Sequence, residues 1–246
     1  MADKTVTVDN TRPFDVLRRF ARRGERHTDG RSGQHSDQHL IHHSDQHSNT
    51  YEAERCDMCG ERLRTDHRHI LNLKSREILC ACQACVLLLD SPSAGGGTRR
   101  LIPNRVRRLT ASEFVMSDLQ WAALQIPVRM AFLCCRSDIA LAAAFYPSPM
   151  GLTEASLPLA AWDELRSENS VLEEMEPDVE ALLIDRRDGR GDVFLAPIDL
   201  CYQLTGIVRS NWKGMSGGSL VHMEIDRFFT ELDERAVRLG ANYART

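Results

Sequence analysis

Cys56 and Cys59 form one Cys-x-x-Cys pair and Cys82 and Cys85 another, with 22 residues between the pairs. Such a turn aims two sulfurs at one ion, and zinc takes four soft or borderline ligands in a tetrahedron. These four cysteines are the candidate ligands of one metal, with structural zinc the leading identity. An iron or iron–sulfur site uses the same residue type. Cys80 keeps that alternative open as a fifth sulfur, and Cys59-Gly60 is similar to a rubredoxin knuckle, although no glycine follows the second pair. His67 and His69 stand between the pairs and are further candidates, to replace a sulfur or to bind a second ion. Cys80 and Cys82 are two apart, so on a strand they share a face and could compete for one ion.

The remaining chain offers weaker chemistry. Cys134, Cys135 and Cys201 sit in apolar surroundings and read as small buried thiols. Gly214-Met-Ser-Gly-Gly218 precedes a helix and could face an anion, but no Gly-Lys-Ser/Thr follows, so a tight turn is the better reading. Glu154, Asp199 and Glu224 are candidate acids that nothing pairs. His222 is the only histidine after His69, so no Ser/His/Asp or Cys/His constellation can be assembled from the sequence.

The elements that must position the ligands can be read from the pattern. His69 to Leu73 alternates, Lys74-Ser75 makes a turn, and Glu77 to Cys80 returns as a hairpin. Cys82 to Cys85 runs into Val86 to Leu89, the start of a helix, whose free N–H groups favour thiolates. Knuckle, hairpin and helix make a zinc-ribbon or treble-clef module over 51–90. Residues 1–24 hold a short amphipathic helix with Phe14, Leu17 and Phe20 on one side and Arg18, Arg19, Arg22 and Arg23 on the other. Residues 25–50 are almost free of apolar side chains and read as a disordered linker. Its His35, His39, His42, His43 and His47 are a weak Ni²⁺, Cu²⁺ or Zn²⁺ tract. Residues 91–110 read as a flexible basic linker, which includes five arginines without an acid; the strip could contact phosphate or lie as a strap on the acidic second half.

Residues 111–246 read as an α+β domain. Ile126 to Cys135 and Ile139 to Tyr146 predict paired strands, Tyr146 to Glu154 an irregular loop, and Asp178 to Asp185 with Asp192 to Ala196 a hairpin. Ser117, Ser170 and Asp199 are candidate caps, and Leu220 to Leu239 is a long amphipathic helix. The fold class expected is α+β, a small metal module followed by a domain with an antiparallel sheet and a long C-terminal helix.

Bulk properties narrow the function. The chain has 246 residues, 42% of them hydrophobic and 27% charged, as in soluble globular proteins. Residues 1–150 carry 21 basic against 17 acidic residues, and residues 151–246 carry 10 against 18. Neither half has the excess of a dedicated nucleic-acid binder. No signal peptide and no membrane span are legible. The cytoplasm is the expected compartment, where eight cysteines point to metal or redox chemistry before disulfides.

A string of motifs resembles an uncharacterised bacterial family. It runs from Cys56-x-x-Cys59 through His67-Arg-His69 to Cys80-Ala-Cys82-Gln-Ala-Cys85. It continues with Ile126-Pro127-Val128, Tyr146-Pro-Ser-Pro149 with Gly151 and Thr153-Glu154, Pro177 to Leu182, Pro197-Ile-Asp199 with Cys201-Tyr202, and Trp212-Lys-Gly214 with Ser216-Gly-Gly218. Genes of that family often sit beside those for [NiFe]-hydrogenase subunits and maturation factors. The His-rich tract and Arg129 depart from its pattern. The resemblance implies a metal-binding accessory protein whose partner is a hydrogenase subunit or maturation factor. Alternatives from the residues are an iron or Fe–S redox carrier and a zinc-ribbon nucleic-acid binder. An enzyme with the Tyr146–Glu154 and Ser216 loops as a pocket rim is a further reading, without a nameable reaction.

Overall fold

Two antiparallel sheets share one hydrophobic core. The computed structural model describes residues 54–89, 96–139, 141–189 and 191–243. The amphipathic helix expected over 1–24 and the His-rich linker over 25–50 lie outside the described residues. The small sheet has the order β2-β1-β3, from β1 (Arg68–Asn72), β2 (Ile78–Ala81) and β3 (Arg99–Leu101). Helix α1 (Gln83–Leu88) follows β2 directly.

The large sheet has six strands. They are β4 (Arg107–Arg108), β5 (Met130–Arg136), β6 (Leu141–Ser148), β7 (Gly151–Ala155), β8 (Glu180–Asp185) and β9 (Asp192–Pro197), in the order β4-β9-β8-β5-β6-β7. Because side chains alternate along a strand, each face meets its own set of helices. One face places Phe132, Leu183 and Phe194 against Leu204 and Val208 of α4 (Ile198–Asn211) and Ile225 and Phe228 of α5 (Gly218–Tyr243). The other places Leu133, Leu182 and Leu195 in a second core with Leu124, Trp162 and Leu165. That side is built from α2 (Asp118–Ala123), α3 (Leu159–Glu168) and a 3₁₀ turn at Ser170–Glu174. Central strand β8 is buried at all six positions, which is why its sequence reads apolar without alternation.

The fold is the expected α+β class, with several local differences. The segment read as an irregular loop at Tyr146 to Glu154 is a hairpin, with Pro147 opposite Leu152 and Ser148 opposite Gly151. Pro147 is tolerated because β5 pairs with β6 only as far as Phe145, so its missing N–H breaks no bond on that side. The strand expected from Ile126 begins at Met130, after Gln125 turns at φ 56° and Pro127 follows. Ser117 caps α2 in a capping box with Gln120. Asp199 does not cap α4. It stands in the first turn, behind Pro197 at the N-cap position.

The basic stretch is not a free linker over its described part, 96–110. β3 pairs with β1, and β4 pairs with β9. Four of its five arginines are bound to acids or a carbonyl of the large domain. Arg100 donates to the Pro177 carbonyl at 2.7 Å, and Arg105 grips Glu180 at 2.5 and 2.7 Å. Arg107 joins Glu113 and Glu174, and Arg108 joins Asp192 and Asp233. A strap that neutralises acids is the physical role of this strip. Its ends tie the small sheet to the large one.

Candidate metal centre

The first knuckle is closed by its backbone. Gly60 donates to the Cys56 carbonyl at 2.8 Å and turns at φ 78°, while Cys56 donates to the Glu61 carbonyl. Asp57 then locks the knuckle onto β2. Its N–H donates to the Cys80 carbonyl at 2.9 Å, and its carboxylate accepts from the Cys80 N–H at 2.7 Å. Cys82 opens α1 from the N-cap position, and Val86 donates to its carbonyl, so Cys85 falls in the first turn.

These turns bring Cys56, Cys59, Cys82 and Cys85 together, with all four sulfurs within 4.8 Å of one another. Cys59 Sγ and Cys82 Sγ are 3.6 Å apart. A zinc tetrahedron with bonds of ~2.3 Å has edges of about 3.8 Å, whereas a disulfide would need ~2.05 Å. All eight cysteines are free thiols. The cluster has the size and donor set to hold a metal ion. It rests on a small core of Ile70, Ala81 and Val86. Burial works against the Cys56 thiolate, but backbone N–H groups of Cys82, Met58 and Cys59 outweigh it and hold the group down at about 6. Burial and the neighbouring thiols push Cys85 up to about 12. Four thiols this close cannot all ionise unaided, and a divalent ion reverses that balance.

Cys80 does not compete for that centre. It lies opposite His69 across the hairpin and forms a separate group with His67 and His69, their ligand atoms within 4.8 Å of one another. This group occupies the other face of the hairpin from Ile70 and Ala81, the face that also carries Leu71 and Ile78 into the large domain's core. His69 Nδ1 is 2.7 Å from Asp199 Oδ2. His67 Nδ1 is 2.9 Å from the Arg64 carbonyl. A Cys/His/Asp constellation is therefore assembled, contrary to the sequence reading. Burial opposes the His69 cation, but Asp199 and Cys80 prevail and raise it to about 9. Burial would raise Cys80, yet the two histidines hold it down at about 7.

A protein-family profile described as "Family of unknown function (DUF5947)" matches residues 55–236. The chain belongs to this family. No curated protein and no solved structure matches it. The DUF5947 span begins one residue before Cys56 and holds both clusters, the strap and the large domain, and it leaves out the His-rich tract. What sequence reasoning missed inside that span is the pairing with His69 of Asp199, which it named only as an unpaired acid and a helix cap. A sequence separation of 130 from His69 leaves no local signal of the contact, beyond a carboxylate placed at a helix start. Among the described residues no helix is long and apolar enough to cross a membrane. The Gly214–Gly218 segment is a tight turn, with Lys213 donating to the Gly217 carbonyl and the Trp212 indole to the Gly214 carbonyl.

Proposed function

We propose that this DUF5947 protein is a non-catalytic accessory protein in which Cys56, Cys59, Cys82 and Cys85 hold a structural zinc ion. The observation that carries this reading is the closed four-sulfur group itself, set between a knuckle and a helix start. Four protein sulfurs fill a tetrahedron, which is the composition of a structural rather than a catalytic zinc site. Cys80 belongs to the other group, so the fifth sulfur that favoured iron is spent elsewhere. The paired arginines of the 99–108 strip count against phosphate binding.

The role of the large domain in this reading is to dock a protein partner in the cytoplasm. The resemblance to a family encoded beside [NiFe]-hydrogenase genes supports a hydrogenase subunit or maturation factor as that partner. Two measurements test the proposal. Elemental analysis of the purified full chain should find zinc, and a coloured, iron-containing protein would overturn the metal assignment. Affinity purification from cells that express a hydrogenase should recover one of its subunits or maturation factors, and recovery of neither would overturn the partner.

A further inference from the structure

We infer that His67, His69 and Cys80 form a second metal site, distinct from the four-cysteine centre, for one zinc-class transition ion. His67 Nδ1 faces the Arg64 carbonyl, which only accepts, so Nδ1 carries the proton. His69 Nδ1 faces the Asp199 carboxylate and is assigned the same way. His67 is then left with Nε2 as its free ring nitrogen, and the ligand atoms of His67, His69 and Cys80 lie within 4.8 Å of one another.

The His67 side chain is only 3% exposed, and its Nε2 is buried with no hydrogen-bond partner. A buried polar atom left so is destabilising. The two rings meet edge to face with their centroids 5.0 Å apart. A bound dication takes up the orphaned His67 nitrogen together with a ring nitrogen of His69 and the Cys80 sulfur.

The surroundings fit the same role. A ligating histidine normally donates its other N–H to a carboxylate or a backbone carbonyl, which fixes tautomer and ring direction. Here one ring has each kind of partner. His69 lies in β1 and pairs directly with Cys80 on β2, and His67 immediately precedes that strand and is held by the Arg64 carbonyl, so the hairpin and its entry set all three donors. Two imidazoles and a thiolate suit zinc and its neighbours better than calcium or magnesium. Three protein ligands leave a fourth position for water or another small ligand. The site lies where the hairpin meets α4, since its outer support Asp199 is in the first turn of that helix.

The test uses the full chain, stripped with chelator under reducing conditions, reloaded with Zn²⁺ or Co²⁺ and desalted. His67→Gln and Cys80→Ser should each bind one ion fewer than the unaltered chain, with unchanged far-UV circular dichroism and an unchanged four-thiolate cobalt spectrum. Asp199→Asn acts through His69 and should weaken the second ion by roughly 10–100-fold without removing it. Iodoacetamide supplies an independent readout. Cys80 should resist alkylation in the zinc-loaded protein and react after chelation. Equal metal content in the variants and the unaltered chain would overturn the site. Equal alkylation of Cys80 with and without zinc would also overturn it, and would make the group an ion-paired nucleophile instead.

Discussion

Cys82 has two roles at once. Its sulfur completes the four-thiol group, and its carbonyl accepts the Val86 N–H that starts α1. Replacing it with serine keeps the second role and removes the first. Cys82→Ser is expected to lose the ion of that centre and to lower the melting temperature, because a structural zinc supplies on the order of 10 kcal/mol of apparent binding energy at neutral pH. Cys134→Ala is the control, a fully buried thiol in the large core that should cost about 1 kcal/mol and leave the metal content unchanged. Calorimetry with elemental analysis separates the two. Glu113 gives a pH prediction. The Thr110 N–H and then the Arg107 guanidinium hold its carboxyl down at about 2, from an ordinary 4.5. A depressed carboxyl contributes stability that is complete above the ordinary value and lost as pH falls through the folded value. Glu113→Gln should therefore lower the melting temperature at pH 7, and the gap should close between about pH 4.5 and 2. A gap independent of pH would contradict it.

At the scale of elements, the hairpin was legible because its alternation and its turn agree. Asn72 Oδ1 accepts from the Lys74 and Ser75 N–H groups and fixes the turn where the sequence places it. Hairpin β6–β7 was not legible, because Pro147, Pro149 and Gly151 read as breakers when the strand's neighbours are unknown. The strap was half legible. Its charge pattern showed five arginines, but not that Glu180, only 1% exposed, needs Arg105 beside it. Truncating Arg105 leaves the buried Glu180 carboxylate with the Glu176 N–H as its partner, so Arg105→Ala should cost about 1–3 kcal/mol in urea titrations. The turn before α5 has its own constraint. Gly217 sits at φ 85°, and a Cβ there would come 2.9 Å from Val221 Cγ1 and 3.1 Å from the Trp212 ring. Gly217→Ala should destabilise by more than about 1 kcal/mol.

Over the whole molecule, the small sheet and the large domain are one packing unit rather than beads on a linker. Leu71, Ile78, Ile102 and Val106 are buried in the same core as Phe132 and Phe194. Each contributes about 1.5–3 kcal/mol of burial. The hairpin and the domain should therefore unfold in one transition, with far-UV and near-UV signals coinciding. The two Cys-x-x-Cys pairs were legible at once, because ligand spacing is local. The division of labour between the hairpin's two faces was not, because it depends on α4 arriving with Asp199. That division is what leaves four sulfurs on one side and His67, His69 and Cys80 on the other. The measurement that tests the central claim most directly is zinc-edge X-ray absorption on the Cys80→Ser chain, desalted to one zinc per chain, in which the second site is removed. The prediction is a zinc ion with four sulfur neighbours at about 2.3 Å. A first shell dominated by nitrogen or oxygen, or a chain that carries iron in place of zinc, would contradict it.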